Sequence, residues 1–368
     1  MKIVWFVHAI ASCWNNGNAH FLRGLGIALQ KLGHEVLFCE PRGSWSETNL
    51  VKDHGTSALD EFRRAFPSLK ILKYDSAQPD LDALTYDADL VIVHEWNEPA
   101  LVNALGAMRK RGADFTLLFH DTHHRAATAP EEMRQFDLSG YDGVLAFGEV
   151  IAEIYRKQGW ANRAWTLHEA ADTTTFFPWM AQRECDLVWI GNWGDEERSE
   201  ELREFLIGPA QALNLRVQIY GVRYPTDAVQ DLKNRDIAYG GWLPNHQTPL
   251  AFAKGVFTVH VPRRPYAVAL PGIPTIRVFE ALACGIPLIC ARWDDSEQLF
   301  PPDCYLTACN GDEMRTCMRD LVHDRDLRAS LIENGLATIE ASHTCDHRAR
   351  QLLDIYDSLN LTPAREAA

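Results

Sequence analysis

Short apolar runs rich in β-branched residues alternate with amphipathic stretches along most of the chain. KIVWFVH (2–8) comes first, followed by a helical pattern from about 18 to 32. HEVLFCEP (34–41), LKILKYD (69–75) and ADLVIVHE (88–95) read as strands. A helical pattern over 98–111 leads into DFTLLFHD (114–121), GVLAFGE (143–149) and AWTLHEA (164–170). Runs this continuously apolar predict strands covered on both faces, and hence a parallel sheet with helical crossovers.

The pattern breaks at TTTFFP (173–178) and then restarts. CDLVWIGN (185–192), RVQIYGV (216–222), IAYGGW (238–242), VFTVHVP (256–262), IPLICAR (286–292) and CYLTAC (304–309) form a second strand series. Helices are expected near 196–206 and over 274–284, and the tail 312–359 is helical in pattern almost throughout. The stretches 42–68 and 122–141 read as loops. The whole predicts an α/β chain of two doubly wound domains, 1–178 and 179–345, facing a cleft. Residues 346–368 are expected as a helix crossing back to the first domain, with a fraying end at 361–368. Ligands of such sheets bind beyond the carboxyl ends of the strands.

Composition narrows the classes. The chain has 368 residues, 46% hydrophobic and 23% charged, which excludes a disordered, collagen-like or coiled-coil protein. No apolar run reaches the roughly 18 residues needed to cross a bilayer. Lys and Arg number 36 against 50 Asp and Glu, a net charge of −14, which argues against a general nucleic-acid binder. It leaves room for a small anion in a local basic pocket. The nine cysteines include no CxxC pair. A reducing, cytoplasmic setting fits them, with no disulfide framework and no zinc site. The GxG of RGLG (23–26) lacks the third glycine of a dinucleotide fingerprint.

The segment LPGIPTIRVFEALACGIPLIC (270–290) carries the strongest chemical signal. Pro274 suits a first helical turn, where its missing N–H costs nothing. The amides of such a turn can hold an anion. Arg277 and Glu280 share a helical face, positioned for a phosphate and a ribose hydroxyl, or simply for a surface ion pair. This segment, with DLVWIGNWGDEERSEEL (186–202) and HTCDHRARQLLDIY (343–356), resembles the C-terminal signature of two-domain, GT-B-fold glycosyltransferases, in particular the CgeB-like and GT4-like groups.

The resemblance implies two Rossmann-like domains and a nucleoside diphosphate sugar as donor, bound chiefly by the C-terminal domain. It implies an acceptor, of unknown identity, on the N-terminal one. It further implies a hexosyl transfer that is retaining and independent of metal or other cofactor. Glu280 matches the second glutamate of the family's E-x7-E signature, the ribose contact. The first glutamate falls at Gly272 and is absent, which leaves open a degenerate nucleotide-sugar-binding or structural protein, and an epimerase. Gly272, Ile273, Pro274 and Thr275 remain candidates for backbone contacts to sugar or phosphate. Gly191, Asn192 and Trp193 are expected near the diphosphate, and Tyr220, Gly221, Trp242 and Leu243 near the base. Arg263 and Arg264, with Tyr266 close behind, are candidates to stabilise the departing diphosphate.

In the N-terminal half, HEWN (94–97) and FHDTHHR (119–125) follow apolar strands and so fall at strand carboxyl ends. Asp121, His120, His123 and Glu95 are candidates to orient or deprotonate an acceptor hydroxyl. Satisfying loop backbone is the plainer alternative for each. Asn16 and Gly17 in the first loop, and Glu169 near the interdomain segment, complete the candidates. A homodimer is compatible with the sequence, which does not fix the oligomeric state.

Overall fold

The computed structural model describes residues 1–360; the expected fraying end at 361–368 lies outside them. The chain divides into two compact units, one of residues 1–169 with the segment from Cys345 onward, the other of 170–344. The division falls before TTTFFP because Ala171 already pairs with Thr344, its N–H donating to His343 O at 2.9 Å.

The first unit is built on seven parallel strands: β1 (Lys2–Phe6), β2 (Glu35–Pro41), β3 (Lys70–Tyr74), β4 (Leu90–His94), β5 (Thr116–Asp121), β6 (Gly143–Ala146) and β7 (Ala164–Thr166). Their order across the sheet is β3-β2-β1-β4-β5-β6-β7, so the winding reverses between β1 and β4. Ile3, Val4, Trp5 and Phe6 are all fully buried, as the unbroken apolar run requires. The helix Asn18–Lys31 crosses back over the sheet. A Cβ on its Gly26 would lie 2.7 Å from the Phe38 ring, so the GxG serves helix–sheet packing. The last helix, Cys345–Asn360, packs on Asn18–Lys31, and its Arg348 Nε donates to His168 O at 2.9 Å.

The expected loop over 42–68 is instead two helices, Trp45–His54 and Ser57–Ala65. Ser44 caps the first, accepting from Glu47 N. Ser44 and Glu47 have the spacing of a capping box, a start signal legible in the sequence. The stretch 122–141 likewise holds short helices at Arg125–Thr128 and Pro130–Met133.

The second unit has two parallel three-stranded sheets. One has the order β10-β9-β8, from β8 (Leu187–Ile190), β9 (Val217–Tyr220) and β10 (Ala238–Tyr239). The other has the order β11-β12-β13, from β11 (Thr258–His260), β12 (Leu288–Ala291) and β13 (Leu306–Ala308). A parallel bridge between Leu187 and Phe257 joins them edge to edge. The winding therefore reverses between β8 and β11. The helix expected near 196–206 becomes a helical turn at Ser199–Leu202, then a π-turn at Arg203–Ile207 that runs into Gly208–Ala212. Pro209 forces this, since it has no N–H for the ladder and its ring crowds the carbonyl four residues earlier. Three helices follow β13: Gly311–His323, Arg325–Ser342 and Cys345–Asn360, the last returning to the first unit. No helix of the described residues is long and apolar enough to cross a membrane.

Candidate functional site

In each unit the carboxyl strand ends at the reversal point gather polar side chains. In the first unit the floor is set by β1, β4 and β5. Asn97 Nδ2 ties β1 to β4, donating to Phe6 O at 2.9 Å and His94 O at 2.8 Å. The loop after β1 is shaped from below. Glu40 Oε2 accepts from Ile10 N at 3.1 Å and Ala11 N at 3.2 Å. The buried Arg23 donates to Ile10 O and Ala11 O, its guanidinium lying over the rings of Phe62 and Phe66. Asn16 is spent on the same loop, donating to Ala9 O and Ser12 O, while the exposed Gly17 precedes the helix.

Above this floor His94, Glu95, Asp121 and Thr122 are buried. Thr122 Oγ1 meets His94 Nε2 at 3.0 Å and donates to Glu95 Oε1 at 3.3 Å. Arg125 pairs with Glu95 Oε2 at 2.5 Å and covers the Trp96 ring at 4.3 Å. Asp121 Oδ2 accepts from Tyr155 OH at 2.8 Å, and Oδ1 accepts from His123 N at 2.9 Å. Burial pushes both carboxyls above their ordinary range; for Glu95 the neighbouring Asp121 adds to this, against the pull of Arg125.

His120, a candidate proton acceptor, is a core residue. It packs edge-on against Trp5 at 5.5 Å, and neither ring nitrogen has a partner. Burial holds it down at about 3 and His8 at about 4; it also holds His94 well below its ordinary value, with His120 and His8 adding to that. Of the four residues expected to act on the acceptor, Asp121, His120 and Glu95 are buried, and His123 is half-buried. His123 stands edge-on to Trp96 at 4.7 Å, and Trp96 is 40% exposed. Glu169, the last residue of this unit, is buried.

The second unit presents cations instead. β8 and β9 are followed directly by Gly191 and Gly221, which touch: a Cβ on Gly221 would fall 1.9 Å from Gly191 O. Asn192 Oδ1 accepts from Val222 N at 3.0 Å, and Trp193 is buried against Tyr224. Tyr220, Trp242 and Leu243 are half-buried. Arg198 then folds back under this turn, donating from Nη1 to Val261 O at 3.1 Å and from Nη2 to Asn192 O. Its Nε has no acceptor. Burial first, and then Arg263 and Arg277, lower it to about 10.

His260 closes β11. Its Nε2 meets Thr275 Oγ1 at 2.9 Å, Nδ1 has no partner, and burial with Arg198 and Arg277 nearby holds it at about 3. Thr275 begins the helix Ile276–Ala283, so Pro274 lies just outside the first turn it was expected to occupy. Arg277 pairs with the fully buried Glu280 one turn along. Arg263 pairs with Glu197 at 3.4 Å. Arg264 points elsewhere, to Glu201 at 2.8 Å and Glu200 at 3.8 Å on the surface, beside the half-buried Tyr266. The amides of Gly272 and Ile273, expected to hold sugar or phosphate, are already spent on Asp294 O at 2.6 Å and Leu270 O at 3.3 Å.

Sequence reasoning passed over Arg198 and His260. Arg198 sits inside the recognised turn GNWGDEERS but reads there as one more charge before a helix. His260 sits in an apolar run, where a strand histidine reads as core. A strand-terminal position is the signal that could have found His260.

Residues 198–354 match a family model described as glycosyl transferase-like. No curated protein matches the chain by sequence. Among solved structures it is similar to a sucrose-phosphate synthase from Thermosynechococcus elongatus, at 15% identity and a TM-score of 0.66, over 98% of this chain and 99% of that one. It is similar to Anabaena HepE in complex with UDP and glucose, at 14% identity and a TM-score of 0.63, over 97% and 100%. It is also similar to T4 phage BGT in complex with UDP and Mn2+, at 12% identity and a TM-score of 0.60, over 98% and 99%. The fold is that of the GT-B glycosyltransferases, two Rossmann-like units, here one on a seven-stranded parallel sheet and the other on two three-stranded parallel sheets.

Proposed function

We propose that this chain transfers a sugar from a nucleoside diphosphate sugar to an acceptor hydroxyl, with the donor on the second unit and the acceptor on the first. The observation that carries the reading is the grouping of Arg198 with Arg263 and Arg277, two of which, Arg198 and Arg277, also act on a neutral His260 in the glycosyl transferase-like segment. Among the described residues Arg198 donates to carbonyls and lies over the Trp189 ring with no carboxylate paired to it, which leaves its charge for a phosphate. The start of the helix Ile276–Ala283 adds a positive dipole end.

In this reading the arginines hold the diphosphate and stabilise it as it leaves, which makes the reaction independent of a metal. Glu280, buried beside Arg277, accepts from the donor ribose. Gly191, Asn192 and Trp193 shape the wall beside the diphosphate, and Tyr220, Gly221, Trp242 and Leu243 frame the base. On the first unit, His123 orients the acceptor hydroxyl, and Asp121 positions His123 through its backbone N–H. Both buried carboxylates are committed within the unit, Glu95 to Arg125 and Asp121 to Tyr155 and His123. That supports a retaining, front-face route in which the leaving phosphate assists the acceptor and the protein supplies positioning and electrostatics. HepE was solved with UDP, which makes uridine the first base to try.

The test is turnover. Sugar nucleotides of uridine, guanosine, adenosine and thymidine are incubated with a panel of hydroxyl acceptors, with and without EDTA, and released diphosphate is measured. Acceptor-dependent release unaffected by EDTA is expected. Donor binding without release from any donor would favour a second reading, a nucleotide-sugar-binding protein, which the missing acid at Gly272 supports.

A further inference from the structure

Gly272 stands where the family resemblance calls for a carboxylate, yet the place is not empty. Its φ is +84°, and a Cβ built on it would fall 2.5 Å from Cγ and 2.6 Å from Oε1 of Glu297. Glu297 therefore brings its carboxylate to within an atom's width of where a side chain at 272 would begin. It arrives from the loop after β12, not from the segment after β11.

That loop is held in shape. Gly272 N donates to Asp294 O at 2.6 Å, which fastens the two segments together. Asp295 turns the chain, Oδ1 accepting from Leu299 N at 2.9 Å and Oδ2 from Phe300 N at 3.0 Å. Gln298, next to Glu297, takes the left-handed conformation with φ 54°. Glu297 thus sits in a constrained turn, half-buried, against Gly272, which precedes by four residues the helix that carries Arg277 and Glu280.

We propose that Glu297 orients the donor sugar, supplying from a different loop the carboxylate that position 272 lacks. The inference rests on the donor reading above. The chemistry divides by charge: guanidinium groups suit phosphate oxygens, whereas a carboxylate repels phosphate and accepts hydrogen bonds from sugar hydroxyls. Glu297 therefore discriminates the sugar-bearing nucleotide from the bare diphosphate, which Arg198, Arg263 and Arg277 hold without it.

The test compares paired ligands on the full chain: UDP and UDP-glucose, GDP and GDP-mannose, ADP and ADP-glucose, TDP and TDP-glucose. Dissociation constants are measured for the wild type, Glu297→Ala and the near-isosteric Glu297→Gln. In both variants the sugar nucleotide is expected to lose about ten- to a hundredfold in affinity, while the bare diphosphate stays within about twofold. An unchanged ratio between the paired ligands overturns the proposal, as does equal loss of both, which marks a merely structural glutamate. If Glu297→Ala does not fold, Glu297→Gln decides alone. A wild type that binds none of the diphosphates overturns the donor reading itself, and this inference with it.

Discussion

The two units solve the same topological problem and fill the result with opposite chemistry. At the reversal point of the first, the buried carboxylates are spent on their neighbours, Glu95 on Arg125 and Thr122 and Asp121 on Tyr155 and the His123 N–H, while the His120 ring and Arg125 Nε lack partners. At the reversal point of the second, Arg198 donates to backbone carbonyls, and its Nε lacks an acceptor. Polar residues at strand ends are thus not equivalent evidence. What separates the two is the pairing of charge: Arg125 has a buried carboxylate beside it, whereas Arg198 has no carboxylate paired to it among the described residues.

The contrast can be broken most strongly at Arg125. Arg125→Ala leaves Glu95 buried without its cation and is expected to cost about 3–5 kcal/mol in chemical denaturation. Adding Glu95→Gln should recover much of that loss, and nucleotide binding should be unaffected in whichever form folds. A small loss in the single variant would mean that the pair is not structural.

Arg198 probes the other side. Arg198→Ala should weaken nucleoside diphosphate binding about ten- to a hundredfold by calorimetry, with a smaller effect on stability. Arg198→Lys should fall between, since it retains charge without the planar fork.

The histidines sharpen the comparison through pH. His8, His120 and His260 lie at about 4, 3 and 3 in the folded state, against an ordinary value of 6.5. The unfolded chain therefore binds more protons across that window. Their contribution to stability is complete above about pH 6.5 and is lost progressively as pH falls toward 3. His120→Phe should make the acid limb of melting temperature against pH shallower, and leave diphosphate binding at neutral pH intact. An unchanged limb would place His120 in contact with water. The smallest effect is expected at Gly272→Ala, about 1–2 kcal/mol from its left-handed backbone, with the Glu297 side chain displaced by the new Cβ, measured by denaturation.

Much of the architecture was legible because parallel strands buried on both faces write long apolar runs. Periodicity also marked the helices at Asn18–Lys31 and Pro99–Lys110. It missed Trp45–His54 and Ser57–Ala65, where short polar helices bury only a few residues; the spacing of Ser44 and Glu47 was the usable clue. In the site, Arg277 and Glu280 were legible because a pair within one helical turn is fixed by spacing alone. Arg198, His260 and Glu297 were not. Each reaches its place through a turn that joins segments distant in sequence: Arg198 under Val261, His260 against Thr275, and Glu297 at Gly272. The expected amides of Gly272 and Ile273 failed for the same reason, since the loop after β12 had already claimed one of them.

Whether the arginines of the second unit hold a nucleoside diphosphate decides the reading of this protein as a sugar transferase. It is tested most directly by thermal stabilisation of the full chain with UDP, GDP, ADP, TDP and CDP, each with and without EDTA, for the wild type and Arg198→Ala. Binding to the folded state raises the melting temperature by mass action. A rise with at least one diphosphate is expected in the wild type, insensitive to EDTA and largely lost in Arg198→Ala. No rise with any of the five, or an equal rise in the variant, would contradict it.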